Sequence, residues 1–590
     1  MESIVNRTRS LFWIALFSLV TASALAQNNA VPLVNQPLSP TSVPPGHRAF
    51  ALNITGTGFA PGAVVNWNGV PRGTVFISSS HLQAAITAAD VARMGTALVT
   101  VVNPAPGGGT SNFVYFPVGI RASTVSFVSK EIPFGFGVSA IAAADFNNDG
   151  SLDLAIANGS TMEVLPGNGD GTFQSPVSTN LDFVNDSGLT CGSINSLVVG
   201  DFNNDGKTDL AVGYSCAPFS GSSISLLYMA LGTGDGHFVA VGNGTISGGP
   251  LATADLNADG SLDVVTTNCD YTCANWYPAV NLGTGGGLFA SGISLGDTYG
   301  FGVGAFGDFN HDGRLDLALP GGDFNQQPLN LYAFPGNGDG TFQSPALYSL
   351  SGRGFNAGTA AVADLNGDGN LDVAIDGVTV LLGNGTGAFT NIGGPTISNS
   401  GGIQLADFNN DGKLDAALFG TDLQNAVVTT LLGNGDGTFQ NLQTWTTPGI
   451  GRFLAIGDFN GDGRLDFISA GTDPSGNSTI SLFLQSTLYP SPGSISFGAV
   501  KIGSHSLPYS TYFINIGSTT LTLEHIHLVG GGSNYYASND CASTLAPGAN
   551  CKVTIVFGPK STGTINASLD VTYDGGIGHL QTVAITGTGD

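Results

Sequence analysis

Seven times between residues 145 and 466 the chain repeats one nine-residue phrase. The copies are DFNNDGSLD (145–153), DFNNDGKTD (201–209), DLNADGSLD (255–263), DFNHDGRLD (308–316), DLNGDGNLD (364–372), DFNNDGKLD (407–415) and DFNGDGRLD (458–466). Positions 1, 3, 5, 6 and 9 are Asp, Asn, Asp, Gly and Asp in every copy, and the starts lie 43 to 56 residues apart. Repetition at a period of about 50 residues demands a fold built from like units, a propeller or a solenoid. Each phrase is flanked by short apolar runs, such as AIAAADF before the first and LDLAIAN after it. Runs of this length bounded by Asp, Asn and Gly read as buried strands joined by a turn.

The residue types in the phrase select a hard cation. Ca²⁺ takes six to eight oxygens at about 2.3–2.6 Å, and a loop supplies them when alternate side chains point inward. Positions 1, 3 and 5 do this, position 7 adds a backbone carbonyl, and position 9 adds a further carboxylate. Glycine at position 6 allows the sharp turn. The expected ligands are Asp145, Asn147, Asp149, Ser151 and Asp153 in the first loop, and Asp201, Asn203, Asp205, Lys207 and Asp209 in the second. The third and fourth are Asp255, Asn257, Asp259, Ser261 and Asp263, then Asp308, Asn310, Asp312, Arg314 and Asp316. The fifth and sixth are Asp364, Asn366, Asp368, Asn370 and Asp372, then Asp407, Asn409, Asp411, Lys413 and Asp415. The seventh is Asp458, Asn460, Asp462, Arg464 and Asp466. The position-7 residues enter by their carbonyls. The competing reading is a metal-free Asx turn, since Asp, Asn and Gly favour turns in any case. Seven copies that keep the same Asp, Asn, Asp and Asp at positions 1, 3, 5 and 9 argue for the cation. Three acidic residues per loop account for half of the 42 Asp and Glu, in a chain with only 10% charged residues. Carboxylates a few ångströms apart repel by roughly 1–4 kcal/mol per pair at effective dielectrics of 80 to 20. About one Ca²⁺ per repeat is therefore expected as a folding cofactor.

A second phrase follows six of the seven loops: LPGNGDGTF (165–173), LGTGDGHF (231–238), LGTGGGLF (282–289), FPGNGDGTF (334–342), LGNGTGAF (382–389) and LGNGDGTF (432–439). Its glycines make a tight turn and its Phe is expected to pack between neighbouring units. Gly286 and Thr386 replace its Asp in two copies, so a structural role fits better than a metal role. Together the two phrases resemble the FG-GAP/VCBS repeat family, whose repeats build the seven-bladed β-propeller of integrin α chains and of many bacterial exported proteins. The resemblance covers residues 121–488. It implies an all-β fold, a seven-bladed propeller closed by pairing of its ends. The segment STVSFVSKEIPF (123–134) is the candidate for the strand that the last repeat lacks.

Residues 31–118 read as strands broken by Gly and Pro and resemble an IPT/TIG domain, an immunoglobulin-like β-sandwich, with one helical turn expected at 88–95 and Trp67 in its core. Residues 489–590 resemble the ASH/HYDIN-type immunoglobulin-like β-sandwiches. The start of the chain, residues 1–26, has Arg7 and Arg9, an apolar run and Ala24-Leu25-Ala26, the pattern of a secretory signal peptide. No later stretch reaches the roughly 20 apolar residues needed to span a bilayer. An exported chain is expected, whether secreted, cell-surface or periplasmic. Its six cysteines pair by proximity as Cys191 with Cys216, Cys269 with Cys273, and Cys541 with Cys551.

A net charge of −26 disfavours nucleic acid and anionic lipid and favours cations. No catalytic constellation stands out. Gly292-Ile293-Ser294-Leu295-Gly296 has nucleophile-elbow spacing without a following helix, and Asp205-Gly206-Lys207-Thr208 lies inside a cation loop. The expected function is non-enzymatic binding or adhesion by a monomer, toward an extracellular protein or carbohydrate. The aromatic insert at 270–277 is one contact candidate. The alternative is a calcium-dependent polysaccharide-active lyase or hydrolase.

Overall fold

The structure, a computed structural model, describes residues 28–590 except 120, 123–124, 136, 182–189, 218–223, 243–245, 247, 270–275, 291, 297–301, 324–325, 351–357, 376, 396, 398–399, 423–424, 448–449, 473–477, 516–519 and 574–579. The leader and most of the 270–277 insert therefore lie outside the described residues. The described chain is almost wholly β, with one 3₁₀ turn at Gly532–Asn534.

The repeats form seven four-stranded antiparallel sheets, here numbered I to VII in chain order. Sheet I is Ala140–Ala144, Asp153–Asn158, Thr161–Leu165 and Val177–Asn180, paired in that order. Sheets II to VI repeat this meander, beginning at Thr190, Pro250, Ala305, Ala360 and Ser400. Sheet VII contains only three strands from its own repeat: Ile450–Gly457, Asp466–Thr472 and Ser478–Gln485. Its fourth strand, Phe127–Ile132, comes from the 123–134 segment and pairs antiparallel with Ser478–Gln485.

Every nine-residue loop joins the first and second strands of its sheet. Its ninth residue opens the second strand, opposite the last residue of the first, as in Ala144↔Asp153 and Gly457↔Asp466. Alternation along these second strands builds the core, because successive side chains face opposite neighbours. Leu154 and Ile156 of sheet I pack with Ile468 of sheet VII, while Ala155 and Ala157 pack with Leu210 and Val212 of sheet II. The pattern continues through Ala211 with Val264, Val265 with Leu317, Ala318 with Val373, Ala374 with Leu418, and Ala417 with Phe467. Seven apolar clusters, each shared by two consecutive sheets, thus return to their start. The first strands of sheets I, II, III, VI and VII, with Val303 and Thr359 just ahead of sheets IV and V, line a common cavity of about 320 Å³ through residues such as Ile141, Val198, Leu251, Gln404 and Leu454.

Two smaller pairs of sheets flank this array. The N-terminal pair packs Leu52, Val65, Trp67 and Phe116 into its core, and Trp67 is 3% exposed. The helical turn expected at 88–95 is a run of turns instead. Asp90 accepts bonds from the Thr87 N–H and hydroxyl, and the chain passes into the next strand at Gly95. The C-terminal pair surrounds Phe513, Val553, Phe557 and Tyr573, with Ser494–Val500 running parallel to Leu580–Gly589. A disulfide joins Cys541 to Cys551. Cys216 is also disulfide-bonded, and Cys191 lies opposite it in register. Cys273 lies outside the described residues.

Candidate metal loops

All seven loops share one hydrogen-bond scheme, set by the spacing of their polar side chains. The position-1 carboxylate accepts the N–H of position 5 through Oδ1 and the Gly N–H of position 6 through Oδ2. For Asp145 these lengths are 3.1 and 2.9 Å, and for Asp407 2.9 and 2.8 Å. The position-3 Asn Oδ1 accepts the same position-5 N–H, at 2.9 Å for Asn147. Position 5 in turn accepts the N–H of position 7, at 2.8 Å from Ser151 to Asp149. Side-chain oxygens of positions 1 and 3 therefore converge on one amide, the position-5 N–H.

The backbone makes this possible at two positions. The position-6 glycines have φ between 78° and 91°. Position 4 is also left-handed in every loop: Asn148, Asn204, Ala258, His311, Gly367, Asn410 and Gly461 have φ from 56° to 74°. Sequence reading passed over position 4 because its identity varies. Its mix of Asn, Gly and His was the available signal, since these tolerate that region best. Three position-4 side chains bridge to the next loop. Asn204 Nδ2 donates to Gly260 O at 2.6 Å, Asn410 Nδ2 donates to Gly463 O at 3.2 Å, and His311 Nε2 pairs with Asn370 Oδ1 at 3.0 Å.

Position 9 does more than sequence reading assigned it. Asp153, Asp209, Asp263, Asp372, Asp415 and Asp466 are fully buried and Asp316 nearly so. Each accepts the position-2 N–H through Oδ2, at 2.8–3.0 Å. Through Oδ1 each accepts a second N–H, given in six sheets by the first glycine of the glycine phrase: Gly167, Gly232, Gly283, Gly336, Gly383 and Gly433. Only glycine fits there, since a Cβ on Gly167 would lie 2.1 Å from Leu152 O. In sheet VII the Gln485 N–H takes this place at 2.7 Å.

The last glycine of each phrase ties its sheet to the loop of the preceding sheet. Gly171 donates to Phe459 O at 2.8 Å, and Gly236, Gly287, Gly340, Gly387 and Gly437 do the same to Phe146, Phe202, Leu256, Phe309 and Leu365. The phrase's Phe packs on the same partner, with ring centroids 5.1 Å apart for Phe389 and Phe309 and 6.1 Å for Phe173 and Phe459. Sheet VII has no phrase, and Gln485 again substitutes: its Nε2 donates to Phe408 O at 2.8 Å.

Burial of these carboxylates leaves them electrostatically strained. Burial first, then the aspartates at positions 1 and 5, hold Asp153, Asp316 and Asp372 up at about 6, Asp209 at about 7 and Asp263 at about 8. Asp415 and Asp466 lie well above the ordinary range for the same reasons. At position 1, burial raises Asp255 to about 6 and Asp407 to about 7. Among the described residues no group of three or more His, Cys, Asp or Glu side chains stands in a ready-made ion cage. The loops offer instead a mixed set of carboxylate, amide and carbonyl oxygens, held with their lone pairs near one turn. In loops I, III, V and VII the Asn Nδ2 at position 3 donates to the position-5 carboxylate, at 2.9–3.2 Å. The donor chemistry suits a hard cation, which would replace those amide contacts and offset the mutual repulsion.

The N-terminal sandwich reaches these loops. Val31 N–H donates to Asp255 Oδ2 at 2.8 Å, Asn28 Nδ2 to Asp259 O at 2.8 Å, and Tyr115 Oη to Ile456 O at 2.6 Å. Gln36 O accepts from Asp364 N–H at 3.0 Å. Of the enzyme-like spacings, Ser294 sits in the two-residue strand Ile293–Ser294, and Lys207 turns its Nζ to Asp205 Oδ2 at 3.5 Å.

Residues 145–212, 255–319, 323–375 and 407–469 match the FG-GAP-like repeat, and residues 490–588 match the HYDIN/CFA65/VesB-like, Ig-like domain. No curated protein matches the chain. Among solved structures, an auxiliary nutrient binding protein from Bacteroides ovatus is 10% identical at a TM-score of 0.31, covering 77% of this chain and 98% of that one. The Vibrio cholerae VesB protease is 12% identical at 0.16, covering 58% and 90%. The ASH/PapD-like domain 7 of human CEP192 is 18% identical at 0.16, covering 18% and 85%. Likenesses this distant carry no argument about function.

Proposed function

We propose that the chain is an exported, calcium-stabilised binding protein, whose seven sheets are the blades of a closed propeller flanked by an IPT/TIG-like and a HYDIN-like sandwich. The observation that carries this reading is the cyclic contact scheme: each sheet's glycine phrase, or Gln485 in its stead, grips the loop of the sheet before it, and sheet I grips sheet VII. Calcium at positions 1, 3, 5, 7 and 9 supplies positive charge where the fold concentrates buried carboxylates. A disc stiffened in this way presents loops rigidly, which suits recognition of an extracellular protein or glycan. FG-GAP-like repeats are typical of extracellular binding and adhesion proteins. Among the described residues no helix is long and apolar enough to cross a membrane. The test is a turnover screen of the purified chain on acidic polysaccharides, with and without calcium, run beside a glycan and protein array. Array binding without product formation is expected, and reproducible product formation overturns the non-enzymatic reading.

A further inference from the structure

Between the seven-sheet array and the C-terminal sandwich lies a cavity of about 640 Å³ that no repeat motif explains. Its walls come from the outer strand of sheet VI, the closing strand Phe127–Ile132, and the first strands and the last strand, Leu580–Gly589, of the C-terminal module. The volume is that of an ordinary small-ligand site. Trp445 and Tyr489 are half-buried in these walls, and Trp445 is propped edge-to-face against Phe127, with centroids 4.9 Å apart. Beside them are Ser129, Thr444 and Gln581.

None of the residues lining this cavity is charged, in a chain of net charge −26. Aromatic faces next to amide and hydroxyl groups, without a charge to neutralise, match a ligand that is apolar on its faces, hydroxylated at its edges and uncharged. We infer that this interdomain cavity binds a neutral carbohydrate, with Trp445 as stacking platform and the exposed Ser129 and Thr444 hydroxyls as hydrogen-bonding groups. The inference rests on the binding reading above and adds to it a place and a ligand class. It does not involve the metal loops.

The experiment uses the full mature chain in calcium, titrated with neutral gluco-, manno-, galacto-, xylo- and N-acetylglucosamine oligosaccharides, followed by tryptophan fluorescence and calorimetry. Saturable binding to at least one series is expected, weakened at least tenfold by Trp445→Ala. Ser494→Arg is a second variant. Ser494 is exposed at the rim, so the change puts a long charged side chain across the cavity mouth without disturbing a core, and it should abolish binding at an unchanged melting temperature. Failure of the whole panel, or binding indifferent to Ser494→Arg, overturns the inference. So does a peptide ligand blocked by Ser494→Arg. Calcium content and melting are read separately, so any of these failures leaves the propeller reading to stand or fall by itself.

Discussion

Gln485 closes the array with a side chain where the other six sheets use a glycine phrase, and removing its amide should weaken the whole ring. The residue is 2% exposed, and its Nε2 donates to Phe408 O at 2.8 Å and Leu465 O at 3.3 Å. Gln485→Leu keeps the volume and the N–H bond to Asp466 but deletes both side-chain bonds. A net hydrogen bond is worth about 1 kcal/mol, and a buried acceptor left open costs about 1–3 kcal/mol. The 3.3 Å bond is the weaker one, so the combined loss should be roughly 2–3 kcal/mol. Paired urea denaturation of wild type and variant in saturating calcium reads this as a shift in midpoint at constant slope. Hydrogen exchange adds a local readout: protection should fall first in Ser478–Gln485 and Phe127–Ile132, the strands that complete sheet VII. A loss below about 0.5 kcal/mol, with exchange unchanged in those strands, would refute the reasoning that Gln485 does the work of the missing phrase.

Ala258 is exposed, left-handed at φ 56° and lacks the Asn or Gly of most other loops. Ala258→Gly should therefore raise stability by roughly 0.5–1 kcal/mol, measured by denaturation in calcium. Asp372→Ala strands the buried N–H groups of Leu365 and Gly383, each now bonded to a carboxylate oxygen at 2.8 Å. A loss of roughly 3–5 kcal/mol is expected, and a loss under about 1 kcal/mol would show that position 9 is not a structural anchor. Burial alone would raise Asp90, but bonds from Arg72 and Thr87 outweigh it and hold its carboxyl below the ordinary value. Its stabilising contribution is present above the unfolded pKa of about 3.9 and is lost as pH falls through the lower folded value. Asp90→Asn should remove that acid-dependent component, seen by comparing denaturation midpoints above and below pH ~4.

The shape of the loops was legible because its signal is local and repeated: Asp, Asn and Gly at fixed spacing dictate one turn, and the flanking apolar runs dictate the strands it joins. The 123–134 segment was also legible, since seven loops with six glycine phrases leave one strand unprovided. What stayed hidden depends on contacts far apart in sequence. Nothing near STISLFLQ marks Gln485 as the replacement for two glycines, because its partners Phe408 and Asp466 are set by closure of the array. The amides bound by position 9 come from phrases 11 to 23 residues later, so its buried structural role was masked by its fit to a ligand pattern. The bond from Val31 to Asp255 spans 224 residues and follows from docking of the N-terminal sandwich, which no local pattern encodes.

The account depends most on cations at the seven loops. Elemental analysis of the purified chain, paired with calorimetry in calcium and in EDTA, measures this directly. It should find about seven calcium ions per molecule, one per loop, with a melting temperature many degrees lower after chelation and restored by millimolar calcium. Identical melting curves in the two buffers, with well under seven bound ions, would contradict it.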